Sequence, residues 1–331
     1  MSTHGEQWDE RLFPKPSAYK PDPSPTAFNW WYADADFDDG YMMMISYHFG
    51  LMRPPGDAER RFIEFSLHDP EGNPHFLRPK FSKEECTASE EMCHVVIGHN
   101  FYRAENGNYH VYFSEGGLGC DLTYEPIVPG YQADLSALPG VSETYAWYMI
   151  AIKSRVKGTI TVGGKTMDVS GYGYQEHGWD RVPMSLPGVE NAFWGKIYQD
   201  DWSILWQGNM ASGSLFVGKG NKVILESTKG TTHPFNFTTR DTRVERPELI
   251  VFKVDDPGRA EGEIRFKVVK PLLYLDLLRR FKPFQRWFTE AYFGKAAYFR
   301  HRLEYDMNLR ILGEKVTGKG VSWCEHHKIP T

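Results

Sequence analysis

Several things are scarce in this chain of 331 residues. No apolar run reaches the length needed to span a membrane as a helix. The start, Met1 to Glu6, carries no basic-then-apolar leader, so a cytoplasmic home is the expectation. Only four cysteines occur, Cys86, Cys93, Cys120 and Cys324. Their spacing matches no zinc or redox motif, and free thiols are expected. No basic tract stands out and the net charge is -5, which argues against a nucleic-acid partner. No Gly-rich loop links a strand to a helix, so a nucleotide fold is not expected. Adjacent His326 and His327 beside Glu325 would point to opposite faces of a strand, so no metal site is expected there.

What is abundant is aromatic. Phe, Tyr and Trp make up 15% of the residues, a share that suits strands and the walls of apolar pockets. Residues 1–25 carry five prolines and read as an extended arm. From Phe28 onward short apolar runs such as Tyr41–Phe49 and Tyr109–Phe113 alternate with turn signals at Asp39–Gly40, Glu71–Pro74, Glu105–Asn108, Gly163–Gly164 and Lys219–Asn221. That rhythm predicts antiparallel strands in a sandwich or barrel. Turn formers over Val182–Glu190 mark a domain boundary, giving an N-terminal domain over 26–187 and a C-terminal one over 188–331. New strands are expected at Ala192–Tyr198, Ser203–Gln207 and Gly213–Val217, and a closing strand at Gly318–Glu325.

One stretch breaks the rhythm. Leu273, Leu277, Phe281, Phe284, Phe288 and Tyr292 recur every three or four residues, which predicts a helical insertion over about 271–300, kinked or divided at Pro283. Arg279, Arg280, Lys282 and Arg286 lie among them. The simpler expectation is packing on the barrel; the alternative is peripheral membrane contact through 272–299.

Four segments together carry a family resemblance. They are Asn29–Tyr32 with Asp39–Tyr41; Gly158–Gly164 leading into Val169–Trp179; Phe193–Tyr198 continuing to Asp200; and Gly318–Gly320 with Glu325. In this order, over about Phe28 to Glu325, the chain resembles the carotenoid 1,2-hydratase (hydroxyneurosporene synthase) and AttH-like proteins, and more distantly kievitone hydratase and the lipocalin-like fungal Diels–Alderases. Gly173–Trp179 is the most specific part. The family motif usually closes with Trp-Gly, where this chain has Trp179–Asp180.

The resemblance implies an all-β chain of two consecutive lipocalin-like antiparallel β-barrel or sandwich domains, with a short helical segment near the C-terminus. It implies chemistry on hydrophobic, often isoprenoid or polyene, molecules. By motif position it points to His177, Trp179, Tyr198 and Asp200. In extended chain Gln175, His177 and Trp179 share one face, Glu176 faces the other way, and Tyr198 shares a face with Asp200. Asp200 in an apolar pocket would be the acid that protonates an alkene, with Asp201 competing for the role. His177 would orient it or take a proton from water, and Tyr198 completes the catalytic set. Trp179, Tyr198 and Trp194 would face the cation, with Trp30, Tyr32 and Gln175 as further substrate contacts; Glu176 reads as a second acid or, the favoured reading, a surface charge. Each residue also has a plainer reading: His177 as a buried tie between strands, Trp179 as packing, Asp200 as a turn residue.

The expectation is therefore a hydratase (a lyase), cofactor-free and metal-free, acting on a double bond of an isoprenoid- or polyene-like substrate. The alternatives are a cyclase or isomerase that templates its substrate and a non-enzymatic lipid carrier. Either a monomer or a homodimer accords with the length.

Overall fold

A computed structural model describes residues 7–8, 15–50, 60–132, 146–181, 190–240, 242–280, 282–292 and 294–328. The protein is all-β: among the described residues strand accounts for 71% and helix for 6%. The chain divides into two compact units. The boundary expected at Val182–Glu190 lies almost wholly outside the described residues, as does most of the arm before Lys15.

The first unit is a long antiparallel sheet whose middle is β1 (Phe28–Phe37), β2 (Ala146–Val162) and β3 (Lys165–Asp180). β3 lies between the other two. β1 continues outward through Met42–Phe49 and Arg61–His68, and β2 through Leu118–Val128 and Asn108–Glu115. Gly163 and Gly164 form the turn between β2 and β3 with φ of +58° and +79°, a conformation glycine takes without penalty. One face of the sheet holds the main apolar core, with Trp31, Tyr47, Phe65, Tyr102, Phe113, Tyr124 and Tyr148 in it. β1 is buried on both faces at its start, which is why Phe28–Tyr32 shows no apolar–polar alternation, whereas Ala33–Phe37 does alternate.

The second unit is a closed eight-stranded barrel: β4 (Asn191–Gln199), β5 (Trp202–Gly208), β6 (Gly213–Lys219), β7 (Lys222–Thr238), β8 (Arg246–Asp256), β9 (Ala260–Asp276), β10 (Ala297–Ile311) and β11 (Glu314–Lys328). β11 returns to pair with β4, so the barrel has no open edge. Period-two alternation shows in β10: Phe299, Leu303, Tyr305, Met307, Leu309 and Ile311 are buried while Glu304, Asp306, Asn308 and Arg310 are exposed. Trp206 stacks on Phe266 at 4.5 Å near the centre of this core.

The short helical segment expected near the C-terminus is present, but it is narrower than 271–300. Leu272–Asp276 remains strand, Leu277–Arg280 is a single 3-10 turn, and α1 covers only Pro283–Tyr292. The spacing of Leu273 and Leu277 imitates a helix, but register shifts near Val268 and Pro271 break the strand's period of two. Pro283 does not kink the helix; it starts it, at the first-turn position where its missing N–H costs nothing. Gln285 reaches back to accept from the Lys282 backbone N–H at 3.2 Å, half of a capping box. No helix among the described residues is long and apolar enough to cross a membrane.

Candidate functional site

The β3 motif presents two different faces. Side chains two apart share a face, so Tyr174 and Glu176 project together with the bare position at Gly178. Glu176 pairs across the sheet with Tyr32 of β1 and Met149 of β2, and Gly178 pairs with Trp30 and Trp147. Trp30 donates its indole N–H to Glu176 Oε1 at 2.9 Å. Trp147 donates its own to Oε2 at 2.5 Å, and the Tyr174 hydroxyl donates to the same oxygen at 2.8 Å. Gly178 makes this possible. A Cβ there would collide with the Trp30 ring, so only a residue without one lets that indole lie across the strand.

The three donors are almost wholly buried, whereas Glu176 is only half-buried. A carboxylate accepts hydrogen bonds and donates none, so a ring of N–H and O–H donors suits its ionised form. Phe28 stacks on Trp30 at 5.6 Å and Tyr32 lies 6.3 Å from Tyr174. The result is one fixed negative charge in an aromatic wall, able to act as a base or as the counter-charge to a cation.

The other face of β3 enters the core. His177 is fully buried and stacks on Trp31 with centroids 4.6 Å apart. Its ring nitrogens lie 3.3 Å from the Pro16 carbonyl and 3.2 Å from Asn29 Oδ1. Burial pushes its pKa down to about 3, so it stays neutral and ties the chain before β1 to the sheet. Gln175 donates to the Tyr102 hydroxyl at 2.6 Å and accepts from Ser154 at 3.2 Å. Trp179 packs 4.9 Å from His177, with the Lys20 ammonium 5.4 Å from its ring. The parity expected from sequence holds, but the carboxylate is on the face opposite to His177.

Tyr198, Asp200 and Trp194 belong to the barrel unit. Asp200 does not share a strand face with Tyr198. β4 ends at Gln199, and Asp200 sits exposed in the two-residue turn to β5 with φ of +53°. This corrects the expectation of a carboxyl in an apolar pocket. Tyr198 and Trp194 face away from the barrel core, alongside Lys196. Lys196 is 2% exposed, and its ammonium lies 5.1 Å from the Tyr198 ring and 5.2 Å from that of Trp323. Trp194 packs 5.6 Å from Trp323 and pairs in register with Glu325.

Arg300, also buried, donates to Glu325 at 3.0 Å and to the Tyr298 hydroxyl at 2.7 Å. Burial alone would raise the Glu325 pKa, but His327, whose Nε2 lies 3.8 Å from Oε2, and the charge of Arg300 outweigh it and hold the carboxyl at about 2. Glu325 is a permanent anion near neutrality and no proton donor. Sequence reasoning missed Trp147, Tyr174, Lys196 and Arg300, and it favoured Glu176 as a surface charge over a second acid.

No protein-family model and no curated protein sequence matches the chain. Solved structures do. A candidate AttH of Nitrosomonas europaea superposes with a TM-score of 0.68 at 13% identity, over 96% of this chain and 97% of that one. CghA superposes with 0.65 at 11% identity, over 99% and 98%, and was also solved with Sch210972 bound. Kievitone hydratase from Nectria haematococca gives 0.60 at 12% identity, over 98% and 96%. At such identities the likeness is one of architecture, and this chain has the fold shared by the AttH-like protein, CghA and kievitone hydratase.

Proposed function

We propose that the protein is an enzyme of the lyase type that adds water across a carbon–carbon double bond of a hydrophobic, polyene- or isoprenoid-like molecule, with Glu176 as its working carboxylate. The observation that carries this reading is the hold of Trp30, Trp147 and Tyr174 on a half-buried carboxylate. Aromatic faces bind the apolar substrate, and the fixed anion polarises a water brought against it. Glu176 takes one proton as the water oxygen bonds to carbon. The neighbouring carbon takes a proton from a second water, and Glu176 returns its own to solvent. The sum is one water added, with every protein group restored. A base suits a double bond made electron-poor by conjugation better than an isolated one. Trp30, Trp147 and Tyr174 are positioning residues in this scheme. The fold neighbours support it at the level of chemistry class, since one is named a hydratase.

The test is incubation with apolar extracts in oxygen-18 water, followed by mass spectrometry, with wild type and Glu176→Gln side by side. A product heavier by one labelled water, formed by wild type and at least about 100-fold more slowly by Glu176→Gln, is the expected result. A product of unchanged mass would replace hydration with cyclisation or isomerisation. Retention of an unaltered compound would make the protein a carrier.

A further inference from the structure

Helix α1 is amphipathic, and it is mounted the opposite way round from a helix packed on a core. Phe284, Trp287, Phe288, Ala291 and Tyr292 follow the three- and four-residue spacing of one helix face. That face is the exposed one: Phe284 is 72%, Trp287 60%, Phe288 43% and Tyr292 67% exposed, and no residue of α1 is buried. The polar face is the one tied down. Arg286 pairs with Asp276 at the end of β9 at 2.5 Å and with Glu290 at 2.7 Å, and Glu290 receives Arg243 at 3.1 Å. A row of ion pairs therefore fixes the helix to the barrel rim with its aromatic side turned to solvent. Exposed apolar patches of this kind mark interaction surfaces.

We propose that α1 is a docking surface for an anionic lipid bilayer, lying flat in the headgroup layer. Three observations favour that occupant. The stripe consists of Phe, Trp and Tyr, without branched aliphatic side chains, and Trp and Tyr are the residues that settle at the membrane interface. Over 276–295 five basic residues stand against two acidic ones. Both acids are engaged by Arg286 or Arg243, while Arg279, Lys282 and Lys295 are exposed, so the surplus charge is positive and complements acidic headgroups. A second copy of the chain is disfavoured by the same charge, because a two-fold contact would set each basic flank against its own image. Ten helical residues, about 15 Å long, suffice to lie in an interface. The inference is independent of the reaction proposed above.

The experiment is co-sedimentation of the full chain with vesicles of phosphatidylcholine alone and of phosphatidylcholine with phosphatidylglycerol. Wild type is expected to bind the acidic vesicles about tenfold more tightly than the neutral ones, and to be released by salt. Two variants are compared: Phe284→Ser with Trp287→Ser, and Arg279→Glu with Lys282→Glu. Each is expected to weaken binding about tenfold while leaving the melting curve in place, since the altered side chains are exposed. Wild type that ignores both kinds of vesicle, or a serine variant that binds as well as wild type, overturns the proposal. A wild-type dimer that the serine variant turns into a monomer, with no vesicle binding by either, would assign the stripe to a second copy.

Discussion

Glu176 and His177 are neighbours with opposite fates. One is held by aromatic donors and keeps a path to solvent; the other is sealed against Trp31. Replacing Glu176 by Gln keeps the size and removes the charge, so turnover should fall by about 100-fold or more while the fold survives. Trp147→Phe removes one of the two indole donors and should cost about tenfold in kcat, because the carboxylate loses orientation and not charge. Steady-state kinetics on the product identified by labelling would separate the two. The parity that places Gln175, His177 and Trp179 together and Glu176 opposite was readable in the sequence. That aromatic donors gather around Glu176 was not, because Phe28–Tyr32 is buried on both sides and gives no contrast. Trp147 and Tyr174 were hidden for a related reason: a Trp in a strand looks the same whether its N–H is idle or committed.

The hairpin from β4 to β5 and the crossing of Trp30 over β3 set rules for whole elements. Asp200 takes the first central position of its two-residue turn with positive φ, where glycine is favoured. Asp200→Gly should stabilise the barrel by about 0.5 kcal/mol, the relief of strain less the added chain entropy, and Asp200→Asn should leave turnover within about twofold of wild type. A loss of activity on Asp200→Asn would return the catalytic role to that carboxyl. Gly178→Ala drives a methyl group into the Trp30 indole. It should cost about 2–3 kcal/mol in urea unfolding and displace the indole from Glu176 as well. The turns at Asp39–Gly40, Glu105–Asn108 and Gly163–Gly164 stood where the sequence placed them, because glycine and asparagine at a turn leave few alternatives. The helical stretch was less legible, since apolar spacing alone does not separate a register-shifted strand from a helix.

Among the described residues, His48 and His177 in the first unit and His301 and His326 in the second are buried with their pKa values pushed far down. Burial lowers the first three to about 3 and holds His326 well below its ordinary value. In the unfolded chain each would titrate near 6.5, so between that pH and about 3 the unfolded state binds more protons than the folded one. Stability is therefore full above pH 6.5 and falls as pH drops, by about 1.4 kcal/mol per pH unit for each histidine once the unfolded form is charged. Glu325, held at about 2, adds to the loss below its unfolded value of 4.5. Urea unfolding at pH 7, 6 and 5 should show midpoints that fall steadily, and a midpoint unchanged at pH 5 would contradict the neutral burial of these rings. Both units also join an early strand to a late one, Phe28 with Asp180 in the sheet and Asn191 with Lys328 in the barrel. On the ribosome this imposes a wait. The barrel cannot shut until Lys328 has left the exit tunnel, and its aromatic strands must be kept from other partners until then. Translation speed and chaperone supply should thus govern the yield of this protein more than its final stability does.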